Sequence, residues 1–397
     1  AQPGAGETRT HRIAVGVYSF ESGGATGGES GALRRTKRVE LDISGEQTEV
    51  PELVGVSAGD LVLVNDDDLA YGNMALDEGS LATAIGGGDK PNIVRITDPM
   101  ARALVWSAAW QMTRNAQMRA RDFIGLVAGG AAEETELAVL EQILAQARTA
   151  AANYADPDWA DQGWAQLREA FLAAARETEG PAQLAFIRAY VGCVHTAESA
   201  DVLRALLGEA DGAEAIPGLD VDQDLRWAII IALTAAARAT GETAEQVEAR
   251  IATEEAQDKS SRGAALALQA RSSVPDEKTK QQVWRALTVE APQQSNLSLR
   301  HRNAGLVHVG HADLLQQFSA DYVAHGVEWW KSLNSEMALR TLEGIYPSWD
   351  HSDATDAAIA ELVKSEDTPS GLRRVLSEGR DRVARAKAAR AFDTAGE

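Results

Sequence analysis

The chain has 397 residues, with 59 acidic and 38 basic side chains and a formal net charge of −21. This length favours two or three domains, and the acidic balance argues against nucleic-acid binding and against an anionic membrane surface, both of which need a basic face. The single cysteine, Cys193, excludes an internal disulfide framework and a thiolate zinc site. No apolar run is long enough to span a membrane.

The first part of the chain alternates apolar and polar residues. This period of two predicts three strands, in HRIAVGVYSF, RRTKRVELDI and DLVLVN, because a strand buries one face and wets the other. The Gly- and Ser-rich residues 21–32 predict a long hairpin loop, and Asp66, Asp67 and Asp68 predict a turn that ends the third strand. Short strands at this spacing predict a small β-sandwich at residues 1–76. Three strands are few for a sandwich, so we expect part of it to lie upstream.

From residue 77 to residue 397 the apolar positions recur at spacings of three and four, which predicts roughly a dozen helices. Capping patterns predict three helix starts, at Thr97-Asp98-Pro99, at Asp156-Pro157, and at Thr243 with Gln246. Short loops favour antiparallel helix pairs stacked into a curved, superhelical array of the HEAT or armadillo type. The predicted fold class is therefore mainly α, with a small N-terminal β-sandwich followed by a large α-helical domain.

The histidines do not form a recognisable metal motif. A helical zinc peptidase site needs two His at i and i+4 with a Glu beside the first, and none of the seven His residues is followed by Glu. His308 and His311 stand three apart and could bind a metal if a third ligand converged on them, but a polar helix face near a helix end is the more ordinary interpretation. No metal ligand and no catalytic residue is therefore predicted.

Arg226 is the charged residue that stands out. It lies in DLRWAIIIAL, at the start of a very apolar helix, where the helix dipole favours anions over cations. A structural ion pair is one interpretation, and Asp222 and Asp224 are near enough in sequence to offset the charge. The other is a guanidinium that binds a carboxylate of a ligand bidentately. Cys193, in the apolar run AYVGCV, is predicted to be a buried, inert thiol.

Two long segments resemble a known family. LVLVNDDDLAYGNMALDEGSL, from Leu61, and ARALVWSAAWQMTRNAQMRARDFIGLV, from Ala101, closely resemble the C-terminal half of the actinobacterial aminopeptidase N family, which are zinc metallo-aminopeptidases of the gluzincin type. DLRWAIIIAL and the later LEGIYPSW also fit the C-terminal helical domain of that family. The resemblance extends from about His11 to about Phe392.

The resemblance implies a part of a larger enzyme. In this family a β domain and a thermolysin-like catalytic domain precede the β-sandwich and the superhelical domain, so this chain is expected to begin at or inside the sandwich. The family's GxMEN and HExxH motifs have no counterpart here, so no zinc ligand or catalytic residue carries over. Zinc is expected in the missing catalytic domain, no cofactor is expected in this chain, and the chain alone is expected to be inactive.

The same resemblance implies a role for the helical domain. It would close over the active site as a cap, shape the chamber that receives peptide substrates, and contact the catalytic domain of the same protein. Arg226 is the candidate for contacting the C-terminal end of a peptide. The alternative is a free-standing helical-repeat binding scaffold without a peptidase domain. A cytoplasmic location is expected, with no nucleic-acid or membrane partner.

Overall fold

The computed structural model describes residues 9–21, 31–88, 90–209 and 216–395. The chain divides into two compact units, one formed by Ala1–Ala185 with Ala388–Glu397 and the other by Phe186–Lys387. Most of the predicted hairpin loop at residues 21–32 lies outside the described residues. The predicted domain boundary between residues 76 and 77 stays a prediction.

The N-terminal sheet has three antiparallel strands within the described residues. They are β1 (His11–Phe20), β2 (Leu33–Ile43) and β3 (Leu61–Asp66), in the order β2-β1-β3. The central strand is buried on both faces from Ile13 to Tyr18, as expected for a strand with neighbours on both sides and a covered face. Leu61 and Leu63 of β3 are each 1% exposed, and this strand packs against the first two helices.

The predicted turn after β3 is confirmed. Asn65, Asp67 and Asp68 all have positive φ, of 60°, 68° and 52°, which short polar side chains tolerate better than other non-glycine residues. The buried Asp66 accepts hydrogen bonds from the Tyr18 hydroxyl at 2.9 Å and from Arg35 Nη1 at 2.8 Å. Asp66 therefore ties the end of β3 to its neighbour β1 and, through Arg35, to β2 as well.

Eighteen α-helices lie within the described residues, more than the predicted dozen because several are short. They are α1 (Glu78–Ile85), α2 (Pro99–Arg114), α3 (Ala120–Gly130), α4 (Leu137–Thr149), α5 (Ala160–Glu177), α6 (Gly180–Val191), α7 (Ala197–Leu206), α8 (Gln223–Ala235), α9 (Ala237–Thr240), α10 (Ala244–Gln257), α11 (Ser261–Ser272), α12 (Glu277–Leu287), α13 (Asn296–Leu306), α14 (Ala312–Leu315), α15 (Ser319–Ser332), α16 (Ser335–Gly344), α17 (Asp353–Lys364) and α18 (Ser370–Thr394). A π-helical turn follows α4, and single 3-10 turns occur at Pro51–Leu53, Asn92–Arg95, Ala131–Glu133, Ala291–Gln293 and Gln316–Phe318.

Two of the three predicted helix starts are confirmed. The Asp98 carboxylate accepts hydrogen bonds from two amides of the first turn of α2, and Thr243 forms a capping box with Gln246 at α10. The prediction at Asp156 is wrong, because α5 begins at Ala160. The Asp156 carboxylate instead accepts the Asp158 amide at 3.0 Å, which closes a turn ahead of the helix.

The second unit is built from stacked helix pairs. Helices α8, α11, α13 and α16 form one layer in which each contacts the next, while α10 contacts both α8 and α11, and α12 contacts both α11 and α13. In such a stack, each helix buries its apolar face against its neighbours. Trp284 stacks on Phe318 at 4.6 Å within the core of this unit. The prediction of a mainly helical chain after an N-terminal sheet is confirmed.

Among the described residues, no helix combines the length and the apolar character that crossing a bilayer requires. Cys193 is fully buried, as predicted.

Candidate functional site

Arg226 lies in the first turn of α8. The helix begins where the Asp222 carboxylate accepts the Leu225 amide at 2.8 Å, which satisfies an otherwise unpaired donor. Trp227 and Ile230, which follow, are 0% and 1% exposed, so the apolar part of the helix is buried. The Arg226 side chain is 28% exposed and lies at the edge of this buried face.

The structure pairs Arg226 with Glu254 of α10. Arg226 Nε donates to Oε1 at 2.9 Å and Nη2 donates to Oε2 at 2.7 Å, while Gln223 Nε2 donates to Oε1 at 2.6 Å. The Glu254 side chain is only 2% exposed. Burial alone would raise the pKa of Glu254, but the hydrogen bonds from Arg226 and Gln223 outweigh burial and hold it below its usual value. The structural ion pair is therefore present, with Glu254 as the partner in place of Asp222 or Asp224.

A second ion-pair network lies beside the first. Arg250 donates to both oxygens of Glu242 at 2.7 and 2.9 Å, and Arg204 Nη2 donates to Glu242 Oε1 at 2.9 Å. Arg250 also donates to Glu209 at 3.1 Å. Burial raises the pKa of Glu242, but the hydrogen bonds from Arg250 and Arg204 outweigh it, so the pKa lies below the usual value. Glu242 and Arg250 therefore stay charged at neutral pH.

The two networks line one cleft of about 550 Å³, which we call the arginine cleft. Its lining residues are Arg204, Leu207, Glu209, Arg226, Ile230, Glu242, Gln246, Ala249, Arg250, Thr253 and Glu254. Three guanidinium and three carboxylate groups balance, so the cleft presents alternating charge without a net excess. In the part of the chain that the structure describes, Arg226 Nη1 has no hydrogen-bond partner, and it is the donor that a ligand carboxylate would meet.

The two histidines of the HVGH segment are not on an exposed helix face. They follow α13, and His311, which precedes α14, is 3% exposed. His308 Nε2 lies 3.0 Å from Ser273 Oγ, and His311 Nε2 lies 2.9 Å from the Ala235 carbonyl oxygen. The prediction of a polar surface face is wrong because both imidazoles are needed to satisfy polar groups at the ends of α8 and α11.

Burial and the nearby Lys280 charge lower the pKa of His308 to about 3 and that of His311 to about 4. The residues that the structure describes contain no group of three or more His, Cys, Asp or Glu side chains that could hold a metal ion. The two imidazoles therefore stay neutral at physiological pH and act as hydrogen-bonding groups of the core.

Lys280 is a polar core residue that the sequence did not reveal. It is fully buried in α12, and Nζ donates to the carbonyl oxygens of Ser272, Gly305 and Leu306 at 3.1, 3.2 and 2.9 Å. These acceptors lie at the C-terminal ends of α11 and α13, where carbonyl groups lack helical partners. The lysine thus joins three consecutive helices, a role with no local sequence signal.

Comparison with known proteins gives two matches. The sequence profile of the family described as the ERAP1-like C-terminal domain matches residues 61–385, which include β3 and the whole arginine cleft. Aminopeptidase N from Streptomyces lividans is 36% identical over 393 residues, which is 98% of this chain and 43% of that protein. The chain therefore spans less than half the length of this curated relative.

Proposed function

Because the chain belongs to the ERAP1-like C-terminal domain family, we propose that it is the non-catalytic C-terminal region of a zinc aminopeptidase that removes N-terminal amino acids from peptides. The observation that carries the proposal is the 36% identity to an aminopeptidase N along 98% of the chain. The helical part would act as a cap that limits access to the active site and shapes the peptide chamber. A cytoplasmic location belongs to the proposal, and a single, buried thiol is compatible with a reducing compartment.

The catalytic chemistry would come from residues outside this chain. Zinc-assisted peptide hydrolysis needs a metal with an open position and a base beside the bound water. No His-Glu-x-x-His motif occurs in the 397 residues, and the relative from Streptomyces lividans extends well beyond the matched region. We propose that the zinc site lies in that additional part, and that this chain contacts it within one polypeptide.

Arg226 remains our proposed substrate contact. The guanidinium is held rigidly by Glu254, so little side-chain entropy is lost when Nη1 binds a carboxylate. The alternating charges around it would favour a flexible, zwitterionic ligand such as a peptide over a polyanion. The buried Glu254 offsets the arginine charge, so we expect the contact to position a peptide rather than to supply most of its binding free energy.

The activity of the isolated chain distinguishes the proposal from its alternatives. Purified chain with excess zinc is expected to show no turnover of amino-acyl chromogenic substrates, and zinc-dependent turnover would contradict the non-catalytic role. If the chain were a free-standing scaffold, it would not bind the N-terminal part of Streptomyces lividans aminopeptidase N. We expect such binding in size-exclusion chromatography, and its absence with a folded, zinc-loaded N-terminal part would favour the scaffold.

A further inference from the structure

A groove of about 280 Å³ between α13 and α16 has the features of a small-ligand site. We call it the α13–α16 groove. Its lining includes Leu299, Arg300 and Asn303 from α13, and Met337, Arg340 and Thr341 from α16. Its volume lies just below the range of about 300–1,000 Å³ that is typical of ligand pockets, which suits a molecule of amino-acid size.

Thr341 supplies a buried polar group without a partner. The side chain is 1% exposed and lines the groove, and its Oγ1 makes no hydrogen bond within the described residues. Threonines in helices commonly donate to the carbonyl four residues earlier, as Thr113 and Thr253 do here at 2.9 and 2.7 Å. Because an unsatisfied buried hydroxyl is costly, a ligand that bonds to Thr341 would gain the full value of that bond.

Asn303, on the α13 side of the groove, places a second unpaired atom opposite α16. Its Nδ2 donates to the Arg340 carbonyl oxygen at 3.3 Å, and Oδ1 is buried without a partner. A Cβ atom on Gly344 would lie 2.7 Å from Asn303 Cγ, so the glycine makes room for this amide. The carbonyl oxygen of Asn303 can only accept, and it therefore calls for a ligand with an N–H or O–H donor.

Charged side chains of both signs lie at the rim of the groove. Arg300 is exposed and has no partner among the described residues, while Arg340 is 65% exposed and pairs with Glu336 at 3.1 Å on its own helix. Glu343 also lines the groove, and Leu299 and Met337 give it an apolar wall. Guanidinium groups match carboxylates, an acidic side chain matches an ammonium group, and the apolar wall matches an aliphatic side chain.

We propose that the α13–α16 groove binds a free α-amino acid with an aliphatic side chain. The carboxylate would lie between Arg300 and Arg340 and accept a hydrogen bond from Thr341 Oγ1. The ammonium group would donate to Asn303 Oδ1 and face Glu343, and the side chain would cover Leu299 and Met337. The site is distinct from the arginine cleft and does not depend on the proposed peptidase function.

The test is calorimetric titration of the full chain with L-leucine. Saturable binding in the millimolar range is expected, and L-leucinamide, which lacks the carboxylate, is expected to bind at least about tenfold more weakly because a hydrogen bond to a charged group is lost. Glycyl-L-leucine keeps the carboxylate but loses the ammonium group at that residue, so it too is expected to bind more weakly. No saturable binding of leucine, or equal binding of either analogue, would overturn the proposal.

Two variants locate the site on the protein. Arg300→Gln and Thr341→Val are each expected to weaken leucine binding about tenfold. Thr341→Val should leave the thermal melting temperature unchanged or higher, because it removes a buried hydroxyl without a partner. The control is Arg285→Gln. Arg285 is an exposed arginine on α12 that pairs with Glu290 and does not line the groove. Unchanged leucine affinity in both groove variants, or an equal loss in the control, would contradict the assignment.

Discussion

Replacing Arg226 with methionine tests whether this arginine supports a buried carboxylate. Methionine keeps an aliphatic stem but removes the guanidinium, so Glu254 loses its 2.9 and 2.7 Å hydrogen bonds and keeps only the bond from Gln223. The Glu254 side chain is 2% exposed and cannot turn to water without disrupting α10. A charged carboxylate would then remain buried with one neutral donor.

The expected cost follows from that geometry. Removing one partner of a buried ion pair costs about 3–5 kcal/mol, and the partial exposure of Arg226 places this case near about 3 kcal/mol. The reverse replacement, Glu254→Gln, leaves a cation that is 28% exposed and can be hydrated. It is expected to cost only about 1 kcal/mol. The prediction therefore requires Arg226→Met to destabilise the protein more than Glu254→Gln does.

Hydrogen exchange measured by mass spectrometry, on amides of α8 and α10, gives the local opening free energy without assuming two-state unfolding of the whole chain. The hydrogen bonds lower the pKa of Glu254, so the pair stabilises the protein above the usual carboxyl pKa and loses this effect as the pH falls. In Arg226→Met burial raises that pKa, so the penalty should shrink between pH 7 and pH 5. A cost below about 1 kcal/mol, or a larger cost for Glu254→Gln, would refute the reasoning.

Two further predictions concern other buried polar groups. Asp393, near the end of α18, accepts hydrogen bonds from the Arg121 and Asp156 amides at 3.0 and 2.8 Å. Asp393→Ala is therefore expected to lower the local opening free energy of these amides by about 2 kcal/mol. Hydrogen exchange of the two amides measures this change. Unchanged protection would contradict a clamping role. Burial lowers the pKa of His308 to about 3 and that of His311 to about 4. Below about pH 6.5 the unfolded chain therefore binds more protons than the folded chain. The free energy of unfolding of the second unit is expected to fall by about 1.4 kcal/mol per pH unit for each histidine. Urea unfolding at pH 7 and pH 5 should show this slope reduced in His308→Gln, and an equal slope would exclude His308 as its source.

The local signals in the sequence predicted the elements well. The period of two located the three strands, and the side chains of Asp98 and Thr243 located two helix starts, because each of these features depends on residues close in sequence. Asp156 misled the prediction, since the same carboxylate that caps a helix can also close a turn ahead of one. The sequence alone cannot separate these two local hydrogen-bonding patterns.

The site residues were harder to predict because their partners are remote. Arg226 stood out by its position, but Glu254 lies 28 residues further along the chain and is brought to it only by the packing of α10 on α8. The carbonyl groups that bind Lys280 belong to α11 and α13, and the Thr341 hydroxyl is unusual only because it lacks a bond. No local pattern in the sequence marks any of these contacts.

The most direct test of the proposed function is a chimaeric enzyme. This chain would replace the matched 43% of Streptomyces lividans aminopeptidase N, and hydrolysis of a series of peptides of increasing length would be measured beside the same enzyme truncated before that region. The chimaera is expected to show zinc-dependent release of N-terminal amino acids, with a preference for peptide length that the truncated enzyme lacks. In the chimaera, the double variant Arg226→Gln with Glu254→Gln should raise KM for peptides but not for chromogenic substrates. A folded, zinc-loaded chimaera that behaves like the truncated enzyme would contradict the account.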